Sequence, residues 1–232
     1  MMRRIVLLAG VLVAVGLAGC GGGDGGLTTN LDSAPGESAL SAFMQSSHQY
    51  TLQGSYGGSS YTLQLTNTPN AGTTTFNGFA PAYSTVQTVT ISQGGTMLAS
   101  DSSTIYFSIG PFQPLGSIGS GGVPYAVVAS PNSLPATIRV GDSGTFASWV
   151  YYHDATQAVI DADETETYVV SANNASTLKV CLTSVISNVM YQGEQDGMAA
   201  GTETDCYAVN AAGSATLLSV AVSVNGATLT FQ

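Results

Sequence analysis

The chain has 232 residues, of which 8% are charged and 44% hydrophobic, with 14 Asp and Glu against 4 Lys and Arg. A body this acidic repels phosphate backbones, which excludes nucleic acid as a partner. So few charges also leave the surface to be wetted by Ser, Thr, Asn, Gln and Gly, which suits an extracytoplasmic protein.

The chain opens Met1-Met2-Arg3-Arg4 and then runs apolar over residues 5–18. As a helix that run would span about 21 Å, short of the roughly 30 Å hydrocarbon core of a bilayer. A charged start, a short apolar stretch and small residues at its end make the pattern of a secretory signal peptide. The stretch ends Leu17-Ala18-Gly19-Cys20, which resembles the lipobox of bacterial lipoproteins at all four positions. That resemblance implies cleavage between Gly19 and Cys20, a diacylglyceryl group on the Cys20 thiol and an acyl chain such as palmitate on the new amine. Two or more chains make anchoring stable where one is marginal. The expected partner is therefore the lipid bilayer, reached through acylated Cys20 and not crossed. Gly21 stands where an Asp would hold such a protein back, so in a double-membrane envelope the resemblance implies the outer membrane.

Once residues 1–19 are removed, Arg139 and Lys179 are the remaining strong cations. Residues 20–38 read GGGDGGLTTNLDSAPGES after the cysteine, a glycine-rich tether without periodicity. Residues 39–44 are expected to form a short helix. Alternating segments at 48–55 and 60–66 flank Tyr56-Gly57-Gly58-Ser59 and predict a hairpin. Strands follow at 85–92 and 104–109. Residues 111–124, PFQPLGSIGSGGVP, are too rich in Pro and Gly for regular structure and predict a loop or domain boundary. Beyond it, 136–140 and 145–153 flank Gly141-Asp142-Ser143-Gly144, and 166–171 and 176–187 flank Asn173-Asn174. The clearest hairpin joins 217–224 to 227–232 through Asn225-Gly226, a pair that accepts the positive φ angles of a type I′ turn.

These segments predict an all-β fold of antiparallel β-sandwich type, as an N-terminal β domain over 39–124 and a C-terminal sandwich over 125–232. PATIRVGDSGTFASWVYY, at 135–152, resembles the opening of bacterial immunoglobulin-like domains, which implies an Ig-like topology for the second half. A transmembrane barrel is not expected: most of the strands are short and carry Ser, Thr or Asn on both faces.

Cys181 and Cys206 form an even pair without CxxC spacing in an exported chain, which predicts a structural disulfide. Gly141-Asp142-Ser143-Gly144 resembles part of the active-site stretch of chymotrypsin-like proteases, with His48 and Asp101 upstream in the matching order. Thr145 breaks the motif, and the tetrapeptide is good turn chemistry on its own. Asp161, Asp163, Glu164 and Glu166 are dense in sequence. In an extended strand they split between two faces, which favours a solvated turn or a charged edge over a calcium site. Trp149, Tyr151 and His153 share one strand face, which either packs in the core or stacks on sugar rings. Two histidines alone cannot build a three-histidine metal centre, and no cofactor or metal is expected. The reading is a lipid-anchored envelope lipoprotein acting as a non-catalytic binding or structural module, with an envelope protein or glycan as further partner. The alternatives are a carbohydrate-binding lipoprotein using Trp149 and Tyr151, or an envelope hydrolase.

Overall fold

A computed structural model describes residues 31–232. The leader, the lipobox residues Leu17, Ala18, Gly19 and Cys20, and the first part of the tether lie outside the described residues. The tether ends earlier than expected. Strand β1 (Ala34–Pro35) and helix α1 (Glu37–Met44) already belong to the folded body.

The chain then forms β2 (His48–Tyr56), β3 (Ser59–Pro69), β4 (Thr74–Phe76), β5 (Phe79–Gln93), β6 (Thr96–Ile109), β7 (Phe112–Gly119) and β8 (Tyr125–Pro131). It continues through β9 (Thr137–Ile138), β10 (Ser143–Tyr152), β11 (Ile160–Asn174), β12 (Thr177–Ser187), the short helix α2 (Tyr191–Gln195), β13 (Gly201–Asn210), β14 (Ala215–Val224) and β15 (Ala227–Phe231). β1 pairs with β9 outside the main sheet.

The fold is a closed 12-stranded antiparallel barrel, which corrects the expected sandwich and its Ig-like topology. Each strand pairs with the next in the chain, apart from the small strands β4 and β9, and the ring closes where β15 meets β2. An even number of strands lets the two at the seam run antiparallel. The seam is narrow: Phe231 faces Gly54, and the backbones of Gln53 and Gln232 exchange hydrogen bonds of 3.0 and 2.9 Å. Gly54 is required there, because a Cβ would lie 2.6 Å from the Thr230 carbonyl oxygen.

Neither a sandwich nor a break between two domains is visible at residues 124–125. β7 pairs with β8 across that point, so one sheet contains both halves. The segment 111–124, expected to be a loop, contains β7, a strand packed on both faces. The β4–β5 hairpin folds over its outer side, placing Phe76 against Tyr106 and Tyr125 in a small second core. Gly116 makes room for this, since its Cβ would sit 2.3 Å from both the Phe76 ring and the Ala126 carbonyl oxygen. A glycine inside a strand often marks such a close approach.

Alternation along the wall decides which way the barrel faces. On β3, Tyr61, Leu63, Leu65 and Asn67 are buried inside, while Ser60, Thr62, Gln64, Thr66 and Thr68 lie outside. On β12, Leu178, Val180, Leu182 and Ser184 are inside and Lys179, Cys181 and Thr183 outside. On these stretches the outer face is rich in hydroxyls and the inner face largely apolar, whereas a membrane-spanning barrel carries an apolar band outside. No helix among the described residues is long and apolar enough to cross a membrane.

Eight strands make a barrel just wide enough for wall side chains to fill, so twelve need more. Part of the filling is α1. It touches β7 and β14, which stand on opposite sides of the ring, and so lies across one mouth. Ala39, Leu40, Phe43 and Met44 point into the core. Glu37 accepts the Phe112 amide at 2.8 Å. Asn67, 1% exposed, donates to the Ser46 carbonyl at 2.8 Å and accepts from the Thr85 hydroxyl at 3.0 Å, which ties the end of the helix to the wall.

Candidate functional site

The interior changes character along the barrel axis. Near α1 it is apolar, lined by residues such as Leu178, Val180, Phe146 and Val209. Toward the opposite mouth the inward positions of β11 and β13 carry Glu164, Glu166, Glu203 and Asp205, all buried. The register sets Glu166, Ser184 and Glu203 side by side across β11, β12 and β13. Ser184 donates to Glu164 at 2.5 Å.

Trp149 and Tyr151 belong to this layer. They are 3% and 0% exposed, and they donate to Glu166 at 3.2 Å and to Glu164 at 3.0 Å. Neither ring is offered to solvent on the outer wall. Burial pushes the Glu166 carboxyl above its ordinary range, with the Trp149 N–H acting in the opposite sense. Burial, reinforced by the nearby Asp205 charge, also raises the Tyr207 phenol well above its usual value. The expectation that this acidic run forms a solvated turn or an edge is corrected: β11 stands between two partners, and its inward carboxylates are enclosed. The split of Glu164 and Glu166 from Asp163 across the two faces is as the alternation predicts.

At the mouth away from α1, the β10–β11 and β12–β13 connections converge. His153 follows β10, Asp161 lies at the start of β11 beside a bulge in the β10–β11 ladder, and Asp196 ends α2. One ligand atom from each lies within 4.8 Å of the other two. His153 Nδ1 contacts Asp196 Oδ2 at 2.6 Å, and the Gln192 amide nitrogen is 3.2 Å from Asp196 Oδ1. The Asp196 hydrogen bond raises the His153 pKa.

Asp161 is fully buried, and neither carboxylate oxygen meets a donor at hydrogen-bonding geometry; the group that faces it closely enough to share a proton is the Asp196 carboxyl. Burial, with the Asp196 charge second, pushes its carboxyl up to about 6. Its backbone is held firmly. The Met190 amide donates to the Asp161 carbonyl at 2.7 Å, and Gly193 lets α2 pack there, since a Cβ would be 2.4 Å from that oxygen. The membership of this cluster is not legible in the sequence. A pocket gathering His153 with carboxylates is what the hydrolase alternative calls for, but no spacing in the sequence joins His153 to Asp161 or Asp196, and Asp196 carries no local signal.

Cys181 and Cys206 face each other in register on β12 and β13 and form a disulfide on the outer wall. Gly141-Asp142-Ser143-Gly144 is a turn. Gly141 has φ 94°, and the Asp142 carboxylate accepts the Arg139 amide at 2.7 Å. His48 stacks on Phe43 at 4.5 Å, beside the helix that crosses the other mouth. Along the seam an open groove of about 620 Å³ is lined by Gln53, Gly54, Ser55, Ser60, Thr228, Thr230 and Gln232, without a titratable side chain. No protein-family model, curated protein or solved structure matches the chain.

Proposed function

We propose that this chain is a lipid-anchored module of the bacterial cell envelope that binds a partner or supports structure without catalysis. The observation that carries this reading is the direction of the barrel wall. With Ser, Thr and Gln outward and Leu, Val and Phe inward, the wall suits water, so attachment to a membrane falls to the N-terminal segment. Leu17-Ala18-Gly19-Cys20 supplies the chemistry for that attachment, and Gly21 directs the proposal to the outer membrane.

The carbohydrate-binding alternative draws no support from a surface aromatic pair, because Trp149 and Tyr151 point inward. A serine hydrolase built on Ser143 fares no better, since Gly141-Asp142-Ser143-Gly144 closes its own turn.

Intact-mass analysis of the protein extracted from native membranes tests the anchor. The expected product begins at Cys20 and carries acyl chains, and a Cys20→Ser chain keeps its leader. A water-extractable product with an unmodified thiol overturns the reading. Crosslinking in cells, followed by identification of captured envelope proteins or glycans, then tests the binding role.

A further inference from the structure

We propose that His153, Asp161 and Asp196 form a binding site for one first-row divalent metal ion of the zinc class at the barrel mouth opposite α1. The argument starts from Asp161. A carboxylate removed from water without a hydrogen bond is costly, and proteins compensate it by protonation, a countercharge or a metal. Asp161 is 0% exposed, neither oxygen meets a donor at hydrogen-bonding geometry, and it faces a histidine and the Asp196 carboxyl. The two are 38% and 12% exposed, so the mouth is reachable from solvent on that side.

Donor chemistry selects the ion. One imidazole nitrogen with two carboxylates suits zinc and its neighbours, whereas calcium prefers six to eight oxygens. Zinc bonds of about 2.0–2.2 Å place ligand atoms roughly 3.4 Å apart in a tetrahedron. The present atoms lie within 4.8 Å, and His153 Nδ1 is 2.6 Å from Asp196 Oδ2. Rotation of His153 and Asp196 about a fixed Asp161 brings the three into range. These two side chains sit on a connection and at the end of a short helix, while Asp161 is locked by the Met190 amide and by Gly193. A fourth position is left for water or a partner's ligand. Beside the His–Asp pair stands another carboxylate, which makes a ligand set where a hydrolase would place a nucleophile.

The site does not depend on the anchor proposal, since a metal can bind the barrel wherever the protein resides. The test uses the full chain, stripped with a chelator and titrated with zinc chloride alone, by calorimetry and by thermal unfolding. Saturable uptake of one zinc per chain with a rise in Tm is expected. His153→Ala, Asp161→Asn and Asp196→Asn should each weaken binding by about tenfold or more, at least the loss seen for outer-shell partners of a metal. Asp163→Asn, on the outer wall, serves as the control for non-specific binding to an acidic protein and should leave affinity unchanged. Asp161→Asn should also raise the Tm of the metal-free protein, which shows that the variant folds. Calcium binding in place of zinc, uptake without a one-to-one limit, or zinc affinity untouched by Asp161→Asn would each overturn the proposal.

Discussion

Asn67 shows how one buried polar side chain holds two elements together. Its alternating strand would put an apolar residue inside, as Leu63 and Leu65 do. An amide there can donate to the carbonyls at the end of α1 and accept from Thr85 at once. Replacing it with alanine removes both bonds and leaves buried carbonyls short of a donor. Asn67→Ala should therefore lower unfolding stability by about 1–3 kcal/mol, read as a shift of the denaturant midpoint at constant slope. An unshifted midpoint would mean that water serves the helix end equally well. Nothing local marks Asn67: residues 60–66 read as a strand, but the partner that makes its amide useful is a helix more than twenty residues earlier.

Among the elements, the hairpins were the most legible. The β2–β3 turn at Gly57 and Gly58 and the β14–β15 turn at Asn225 and Gly226 use positive φ angles that glycine and asparagine accept cheaply. The disulfide was legible for a different reason: apart from the cysteine of the lipobox-like stretch, the sequence has one pair, Cys181 and Cys206, with a single pairing open to it. It straps β12 to β13 over a sequence separation of 25. Removing it by Cys181→Ser with Cys206→Ser should cost about 3–4 kcal/mol in the chain-entropy account. Matching denaturant curves with and without reductant would contradict that. β7 was not legible, because its Pro and Gly residues argue locally for a loop. Its strand conformation comes from neighbours on both sides, and Gly116 is there to admit Phe76. β13 was missed as well: Glu203 and Asp205 alternate inward, and buried acids break the apolar periodicity that identifies a strand.

For the whole molecule, the orientation of the wall makes the broadest prediction. Lysine placed outside, as in Gln64→Lys or Thr165→Lys, should leave folding and detergent-free solubility unchanged in a chain begun at Gly21, without the leader or Cys20. Lysine placed inside the apolar part, as in Leu178→Lys beside Val209, buries an unpaired charge and should prevent folding. Soluble expression with circular dichroism reads both. If outward lysines expel the protein from membranes, the wall faces lipid and the water-facing description fails.

Taken alone, the sequence determined what short-range chemistry determines: a β-rich body, its tight turns, the alternation of polar and apolar positions, the disulfide pair and an acidic composition. Whether those strands become a sandwich or a barrel rests on one distant pairing, Phe231 with Gly54, and a period of two is the same in either architecture. The tertiary structure alone closed that seam. In doing so it brought His153 and Asp161, at the two ends of the β10–β11 connection, and Asp196, after α2, to one mouth, where they can act on a common ion.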